Sequence, residues 1–307
     1  MKTCIGFEGE IVGGLCWNKL TRKRMREPLA LENFGYKVYS QNDEDGIIHE
    51  IFKRIGTETN EFVELGVGNG LECNTHYLLH CGWHGLWIDG SKSSCRQIAS
   101  SFRPVLKSGR LKVINAFITR EKIDRLISGN RNSIIKDTSP DFLSIDIDGN
   151  DWYVWEAVKS IRPRVVGIEY NGKFPPDLNW KQAYYQNHKW DGSDWQGASL
   201  KAMELLGRKK GYVLVCTNFT GVNAFFVRED LYFKELFPLS GTAEELYNPY
   251  RYNLKFISPG HLARYCLVGQ EENKGPMNYF KNNLEFKAAK NKCRMEKFIK
   301  KIKKICE

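Results

Sequence analysis

Residues 61–70 of the chain read EFVELGVGNG, and this stretch decides the fold. Its first half has the character of a buried β-strand, and three glycines, Gly66, Gly68 and Gly70, follow at once. Glycines let the backbone turn tightly and lie close against a ligand. The spacing G-x-G-x-G differs from the G-x-G-x-x-G of dinucleotide sites, and the acidic Glu64 is unexpected where a pyrophosphate binds. The stretch therefore predicts a strand, a ligand-binding loop and a helix, with a nucleoside as the ligand.

Strands and helices alternate outward from this stretch. The predicted strands span residues 61–67, 85–89, 111–116, 141–146 and 164–170. The predicted helices between them span residues 72–81, 91–102, 120–128 and 151–159. Five β-α units in succession favour a mostly parallel sheet with helices on both faces.

Further elements are predicted on either side of this core. Upstream, isoleucines at helical spacing predict a helix over 42–56, with Asn42 at its N-cap. Downstream, a helix over 200–210 precedes two strands over 212–217 and 222–227. We therefore expect an α/β fold with a doubly wound, mostly parallel, seven-stranded, Rossmann-like sheet. This is the arrangement of class I methyltransferases.

The domain organisation follows from where this alternation begins and ends. We expect an N-terminal lead-in, a central α/β domain containing an insertion, a C-terminal extension and a basic tail helix. These segments span residues 1–38, 39–230 (insertion 171–195), 231–280 and 281–307.

Two strand ends carry residues suited to a nucleoside. Asp89 ends the second strand about 20 residues after the glycines, where a carboxylate can accept hydrogen bonds from ribose hydroxyls. The alternative is that Asp89 only caps the following helix. Asn115 and Ala116 end the third strand and are expected beside the base.

These residues together resemble a known family. Segments Tyr39–Asp45, Val63–Gly70 and Asp141–Gly149, with Asp89, are similar to the FkbM-type S-adenosylmethionine-dependent methyltransferases. The similarity spans roughly residues 39–228. It implies a class I fold, S-adenosyl-L-methionine as cofactor and, commonly, O-methylation of hydroxyls on sugars or natural products.

The resemblance and the strand ends together give a set of expected cofactor contacts, with Gln41 at the methionine end. The set is Gln41, Glu64, Gly66, Gly68, Asn69, Asp89, Gly90, Ser91, Asn115, Ala116 and Asp146. One departure from the family is that its acid–glycine pair after the fourth strand is Asp148-Gly149 here, followed by Asn150-Asp151. This departure bears on the substrate rather than on the cofactor.

Acidic and amide side chains follow two neighbouring strands. Asp146 and Asp148 follow the fourth strand, and Glu169 and Asn171 end the fifth. The carboxyl ends of adjacent parallel strands share one crevice, and oxygen ligands there suit Mg²⁺ or Mn²⁺. Two alternatives stay open: Asp148 and Asn150 could cap the next helix, or the D-x-D pattern could serve a nucleotide-sugar glycosyltransferase.

The insertion supplies aromatic residues and a candidate base. Tyr184, Tyr185 and Trp190 suit the face of a sugar ring, and His188 lies among them. An imidazole with a pKa near neutrality can accept the proton of an attacking hydroxyl, so His188 and Asp146 are the predicted catalytic residues. The alternative for His188 is an exposed loop histidine.

The net charge of +10 is unevenly distributed. The last 27 residues hold 10 Lys/Arg against 3 Glu, a net of +7, so the remaining 280 carry only +3. An almost neutral body argues against a broad nucleic-acid surface. Phe298, Ile299 and Ile302 recur at helical spacing among lysines, which predicts a basic amphipathic helix. Its contact remains open: a membrane surface, a partner helix, RNA, the chain's own domain or a second copy of the chain.

The composition also predicts the cellular compartment of the protein. No apolar run approaches the roughly 18–20 residues that span a bilayer, and the first residues lack a secretory apolar segment. The nine cysteines are scattered without metal-site spacing, which indicates reduced thiols. We expect a cytoplasmic protein, with peripheral docking at the inner membrane surface if the tail helix binds lipid.

The expected function is S-adenosylmethionine-dependent O-methylation of a sugar or glycan hydroxyl, for example in a cell-surface polysaccharide, with help from a divalent metal. The alternatives are a nucleotide-sugar-dependent glycosyltransferase that uses the D-x-D motif and an RNA methyltransferase. Nucleic acid is the less expected substrate.

Overall fold

The structure is a computed structural model that describes residues 27–130, 133–190, 196–239 and 241–250. Most of the predicted lead-in, most of the C-terminal extension and the whole basic tail helix lie outside the described residues. Within them, no helix combines the length and the hydrophobicity that crossing a bilayer requires. Their cysteines, Cys73, Cys81, Cys95 and Cys216, carry free thiols.

A seven-stranded mixed sheet forms the centre of the molecule, in the order β3-β2-β1-β4-β5-β7-β6. The first five strands are parallel, and β7 runs antiparallel to both of its neighbours. The strands are β1 (Glu61–Leu65), β2 (His84–Asp89), β3 (Leu111–Asn115), β4 (Phe142–Ile145), β5 (Val165–Glu169), β6 (Tyr212–Thr217) and β7 (Asn223–Arg228). This order, with its final antiparallel hairpin, is the class I methyltransferase fold, so the predicted fold class is confirmed.

Eight α-helices of the described residues surround the sheet. They are α1 (Glu44–Ile55), α2 (His76–His80), α3 (Lys92–Ser101), α4 (Arg103–Lys107), α5 (Ile123–Ser128), α6 (Asp151–Ala157), α7 (Leu200–Lys209) and α8 (Ala243–Leu246). Two short 3₁₀ helices, Leu31–Phe34 and Glu229–Leu231, precede α1 and follow β7.

The core lies on both faces of the sheet because successive strand residues point to opposite sides. On one face, Phe62 and Trp87 pack with residues of α1 to α3, among them Ile51. On the other, Val63 packs with residues of α5 to α7, among them Trp155. All five residues of β1 are buried, as expected for a central parallel strand covered on both faces.

Two details of the predicted helices were wrong. α1 begins at Glu44 with Asp43 in the N-cap position, and the backbone N–H of Asn42 donates to the Glu44 carboxylate instead of Asn42 capping the helix. The helix predicted from residue 72 begins only at His76. The Glu64 carboxylate accepts the N–H groups of the two residues before the helix, which holds that segment in an irregular loop.

A buried ion pair ties the strands together at the N-terminal edge of the sheet. Asp141, just before β4, accepts a hydrogen bond from Arg164, just before β5, at 2.8 Å. The same carboxylate accepts the backbone N–H groups of Thr59 and Asn60 at 2.9 and 2.7 Å. The carboxylate is therefore well compensated, and both terminal nitrogens of the guanidinium donate hydrogen bonds, which lowers the cost of burying the two charges.

Candidate active site

An open cleft of about 450 Å³ lies at the opposite, carboxyl edge of the sheet. It brings together many of the residues that the sequence singled out. Its lining consists of Gly66, Gly68, Asp89, Gly90, Ser91, Phe117, Ile118, Asp146, Ile147, Asp148, Asn150, His188 and Lys189.

The glycine loop forms one wall of the cleft. Gly66 has a φ of +82°, and a Cβ there would lie 1.7 Å from the backbone oxygen of Asp146. Gly70 has a φ of +77°, and a Cβ there would meet the ring of Trp87 at 2.6 Å. Only glycine therefore lets the loop press against the end of β4 on one side and the core on the other.

Asp89 holds the loop and the next helix together. Its carboxylate accepts the N–H of Gly68 at 2.8 Å and the N–H of Ser91 at 2.7 Å. Burial raises its pKa. Ser91, not Asp89, caps α3, because the Ser91 hydroxyl accepts the N–H of Ser94. Each Asp89 oxygen keeps acceptor capacity for a further hydrogen bond, as a ribose diol would require.

The end of β3 adds an aromatic ring that the sequence reasoning missed. The Asn115 side chain and the Ala116 backbone N–H both donate to the Asp89 carbonyl at 3.0 Å, so these two residues fix the strand end. The ring that lines the cleft belongs to Phe117, which is 41% exposed and would lie 3.4 Å from a Cβ at Gly90. An apolar pair, Phe117-Ile118, directly after a strand's carboxyl end was the available signal.

Besides the two residues at the end of β3, three further expected cofactor contacts lie outside the cleft lining. Glu64 is buried beneath the loop and accepts hydrogen bonds from Asn74 and from the N–H and hydroxyl of Thr75. Burial raises the pKa of Glu64. The Asn69 side chain accepts the N–H of Leu71, and the Gln41 carbonyl accepts Lys37. Their roles toward a cofactor stay predictions.

Three carboxylates meet at the carboxyl edge of the sheet, and two of them, Asp146 and Asp148, line the cleft. Asp146, Asp148 and Glu169 offer oxygens that all lie within 4.8 Å of one another. Burial, and then the neighbouring carboxylates of Asp151 and Asp148, hold the pKa of Asp146 well above its usual range. Burial and the charge of Asp146 do the same to the pKa of Glu169. Neighbouring carboxylates therefore add to burial in raising the pKa values of Asp146 and Glu169.

The loop after β4 fixes the position of Asp148. The Asp151 carboxylate accepts the N–H groups of Ile147 and Gly149, each at 2.8 Å. Burial raises the pKa of Asp151 to about 6. Asp148 has a φ of +57°, a conformation that aspartate tolerates better than most residues but that costs free energy. Backbone strain of this kind is common where a side chain is aimed for function.

The helix-cap alternative does not describe this loop. Asn150 occupies the N-cap position of α6 but makes no side-chain cap bond; instead its amide donates to the Tyr185 carbonyl at 2.9 Å. Asn171, predicted as a metal ligand, donates to the Gln196 carbonyl and accepts the N–H of Lys173. Asn171 thus closes the base of the insertion, and its part in a metal site stays a prediction.

The insertion brings His188 into the cleft, about forty residues along the chain from the loop that it meets. A Cβ at Gly149 would lie 2.4 Å from His188 Nε2, so the glycine makes room for the ring. This nitrogen is buried and has no hydrogen-bond partner among the described residues. His188 is thus half-buried beside the carboxylates rather than an exposed loop histidine.

Three aromatic residues of the insertion flank His188 in the sequence. Tyr184 stacks under the guanidinium of Arg120 at 3.9 Å and donates its hydroxyl to Glu121 at 2.6 Å. Tyr185 and Trp190 are 63% and 51% exposed. Asp191, Asp194 and Trp195 of the insertion lie outside the described residues.

Comparisons with known proteins add little beyond the fold. No family model and no curated protein matches the sequence. Solved structures similar to the chain include a methyltransferase of Galdieria sulphuraria named for sarcosine and dimethylglycine, with 14% identity, a TM-score of 0.37 and coverage of 56% of this chain and 62% of that one. An S-adenosylmethionine-dependent methyltransferase of Clostridium acetobutylicum has 12% identity, a TM-score of 0.38 and coverage of 69% and 99%.

A third similar structure is an O-methyltransferase of Bacillus cereus in complex with S-adenosylhomocysteine. It has 16% identity, a TM-score of 0.33 and coverage of 50% of this chain and 66% of that one. The chain thus spans less than two thirds of the Galdieria and Bacillus proteins. Similarities at this level assign neither activity nor substrate.

Proposed function

We propose that the chain is an S-adenosyl-L-methionine-dependent O-methyltransferase that acts on a hydroxyl of a sugar or glycan. The observation that carries this proposal is the composition of the cleft. Its one end has the glycine loop and Asp89, suited to a nucleoside, and its other end has Asp146, Asp148 and His188, suited to acid–base chemistry. Both ends belong to one cavity of about 450 Å³, a size typical of small-molecule sites.

The residues of the nucleoside end fit the cofactor. Asp89 can accept two ribose hydroxyls, and the exposed ring of Phe117 offers an apolar face for the adenine. A positively charged sulfonium suits a cleft whose carboxylates repel one another, because a cation relieves that repulsion. S-adenosyl-L-methionine supplies an activated methyl group, so the protein needs mainly to position the acceptor and to remove its proton.

His188 is the proposed base. Its Nε2 has no partner among the described residues and faces the Gly149 loop, so it is free to accept a proton. Asp146 would orient the acceptor hydroxyl by accepting its hydrogen bond. Tyr185 and Trp190 expose rings that suit the apolar face of a sugar.

The proposal also includes a divalent metal ion that assists the reaction. Asp146, Asp148 and Glu169 would hold it, since three hard oxygen donors within 4.8 Å of one another fit Mg²⁺ or Mn²⁺. Such an ion lowers the pKa of a coordinated hydroxyl when bound. Full activity of protein that has been treated with EDTA, without added metal, would remove the ion from the proposal.

A glycosyltransferase is the second candidate, because Asp146 and Asp148 lie together as a D-x-D pair should. The sheet order favours the methyltransferase. Calorimetric titration of the full chain with S-adenosylhomocysteine tests the choice, and we expect binding at one site. Binding of UDP with Mn²⁺, with none of S-adenosylhomocysteine, would instead select the glycosyltransferase. An RNA methyltransferase would require RNA binding that falls steeply with salt.

A further inference from the structure

One edge of the sheet carries a cluster of cations. Residues 91–112 form α3, α4 and the first residues of β3, and they contain six Lys/Arg and no Asp or Glu. Four of these cations are exposed: Lys92, Arg96, Arg103 and Lys107. We call these four residues the basic edge.

Within the part of the chain that the structure describes, no carboxylate neutralises the charge of the basic edge. None of the four residues forms an ion pair with a carboxylate among the described residues. The strands packed against α3 and α4 are β2 and β3, whose single acid is the buried Asp89. In contrast, Lys201 lies 3.0 Å from Glu204 and 2.8 Å from Glu244.

The chemistry of the surface points to an anionic partner rather than an apolar one. Within residues 91–112 there is no exposed large hydrophobic side chain. The same segment contains six serines, beginning with Ser91. Arginine, lysine and serine are the side chains that contact phosphate and other oxyanions, whereas protein interfaces have an apolar centre.

The basic edge starts at the cleft and leads away from it. Ser91 lines the cleft, and Lys92 is the next residue. Lys92 and Arg96 share one face of α3, and Arg103 and Lys107 share one face of α4, because each pair is four residues apart. The ten residues of α3 alone extend for about 15 Å. An acceptor polymer whose end lies in the cleft could thus continue along the basic edge.

The acidic cleft and the basic edge together restrict which polymer can bind to both. Without a bound cation, Asp146, Asp148 and Glu169 repel an anion inside the cleft, whereas the basic edge attracts one outside it. RNA carries a phosphate beside every ribose hydroxyl, so its reacting unit would bring that charge against the carboxylates. A glycan can place an uncharged sugar in the cleft and its acidic groups farther along.

We propose that the acceptor is an anionic glycan whose carboxylate or phosphate groups bind the basic edge while an uncharged sugar enters the cleft. This inference rests on the proposed function, since it names the substrate class of the same site. It also explains how a body of nearly neutral net charge can attract a polyanion: the attraction comes from one edge, not from the whole surface.

The test compares two variants of the full chain with equal loss of charge. Arg96→Gln, Arg103→Gln and Lys107→Gln together remove three cations of the basic edge. Lys136→Gln, Lys159→Gln and Lys234→Gln together remove three exposed cations from other surfaces and serve as the matched control. Both variants keep the basic C-terminal segment, so that segment cannot cause a difference between them. Circular dichroism and S-adenosylhomocysteine affinity verify that both are folded.

Binding is measured by calorimetry with four polymers: polygalacturonate for carboxylates, a phosphomannan for phosphates, neutral dextran, and a short oligouridylate. We expect polygalacturonate or phosphomannan to bind the wild type in a salt-dependent way and the edge variant at least about tenfold more weakly. The control should change by less than about threefold, and dextran should bind weakly to all. Whichever acidic polymer binds tighter identifies the anionic group.

Three results would overturn the inference: equal binding of acidic polymers by both variants, equal binding of dextran, or tighter binding of oligouridylate than of either acidic glycan. These failures are distinct from failure of the proposed function. If S-adenosylhomocysteine binds while the acidic glycans do not, only the inference is lost. If the acidic glycans bind the basic edge while S-adenosylhomocysteine does not, the methyltransferase is lost and the surface remains.

Discussion

β4 and β5 carry charged side chains at both ends, but the two ends arrange these charges differently. At their N-terminal ends, Asp141 and Arg164 form a buried ion pair at 2.8 Å. At their carboxyl ends, Asp146 and Glu169 place two carboxylates together, and burial with mutual repulsion raises the pKa of each. The first end pairs a carboxylate with a cation, whereas the second places carboxylates beside one another. This contrast marks the first end as structural and the second as a site.

The hydrogen bonds sharpen the contrast. Asp141 accepts backbone N–H groups from Thr59 and Asn60 in addition to the guanidinium, so its charge is fully compensated. At the other end, the backbone N–H groups of the loop after β4 go to Asp151 instead of Asp146. The loop therefore holds its own shape without using the carboxylates that face the cleft.

The largest effect is expected from breaking the compensated end. Arg164→Leu leaves the Asp141 carboxylate buried without its cation, and we expect the free energy of unfolding to fall by about 3–5 kcal/mol. Urea denaturation followed by circular dichroism measures it. The matched change at the other end of the same strand is Glu169→Gln, which removes repulsion and should leave stability unchanged or higher. Equal destabilisation by both variants would contradict the comparison.

The next effect concerns activity instead of stability. Asp146→Asn removes the carboxylate proposed to orient the acceptor, and we expect methyl transfer to fall at least about a hundredfold, as is typical for groups that act on the transferred proton. The melting temperature should not decrease, because the change removes repulsion between neighbouring carboxylates. An active variant, or one that unfolds more easily than wild type, would place Asp146 with the structural carboxylates.

A smaller effect is expected at the nucleoside end of the cleft. Asp89→Ala removes two acceptors for ribose hydroxyls, and we expect S-adenosylhomocysteine to bind about 10- to 100-fold more weakly. Because Asp89 also holds Gly68 and Ser91, Asp89→Asn is the companion variant that can still accept a hydrogen bond. Calorimetry on both variants, with folding verified by circular dichroism, should give the Asn variant an intermediate affinity. Unchanged affinity in the Ala variant would remove the ribose assignment.

The smallest effect is expected at Asp43, a carboxylate at the carboxyl edge that is not among the proposed metal ligands. It tests whether raised pKa values at this edge extend beyond those ligands. Burial, and then the charge of Glu44, raises the pKa of Asp43 to about 6, although Asp43 accepts the N–H of Phe219. The folded state therefore holds the Asp43 proton more tightly than the unfolded state does. This contribution to stability is complete below about pH 4 and is lost as the pH rises through 6.

The size of that loss is about 2 kcal/mol, from a difference of about two pKa units reduced for partial exposure. Unfolding free energies of wild type and Asp43→Asn, measured at several pH values between 4 and 7, should diverge by this amount, with the variant the less pH-dependent. Parallel pH profiles would show that Asp43 titrates in the folded chain as it does in the unfolded one.

The sequence predicted the sheet because its signals are local. A strand such as β1, buried on both faces, reads as an apolar run, and the glycines after it are required by contacts that only glycine permits at Gly66 and Gly70. Asp89, Asp146 and Asp148 could be grouped from the sequence because parallel strands end at one edge.

Other parts of the site depend on the path of the chain between elements. Glu64 has the position of a cofactor ligand in sequence, but the loop after the glycines returns to bind its carboxylate. Asn171 is two residues from Glu169, yet β5 ends at Glu169 and the alternation of side chains no longer applies. His188 meets Gly149 only because Asn150 and the insertion are hydrogen-bonded, and no periodicity indicates that contact.

The net charge did not reveal the basic edge, for a related physical reason. The +3 of the first 280 residues is a sum, and a sum cannot separate an acidic cleft from a basic edge. The fold separates them, because Asp146 and Glu169 end central strands, whereas Arg96 and Lys107 lie on helices that pack on the strands at one edge. Position in the sheet, not composition, decides which charge a ligand meets first.

A crystal structure of the chain with S-adenosylhomocysteine tests the central contrast most directly. We expect the ribose hydroxyls to bind Asp89, the sulfur to face the end of the cleft that holds Asp146 and His188, and the Asp141–Arg164 pair to stay unchanged. A complex in which the ligand lies outside this cleft, or a saturated crystal in which the cleft holds no ligand, would contradict the assignment of the carboxyl ends of β4 and β5 as the site.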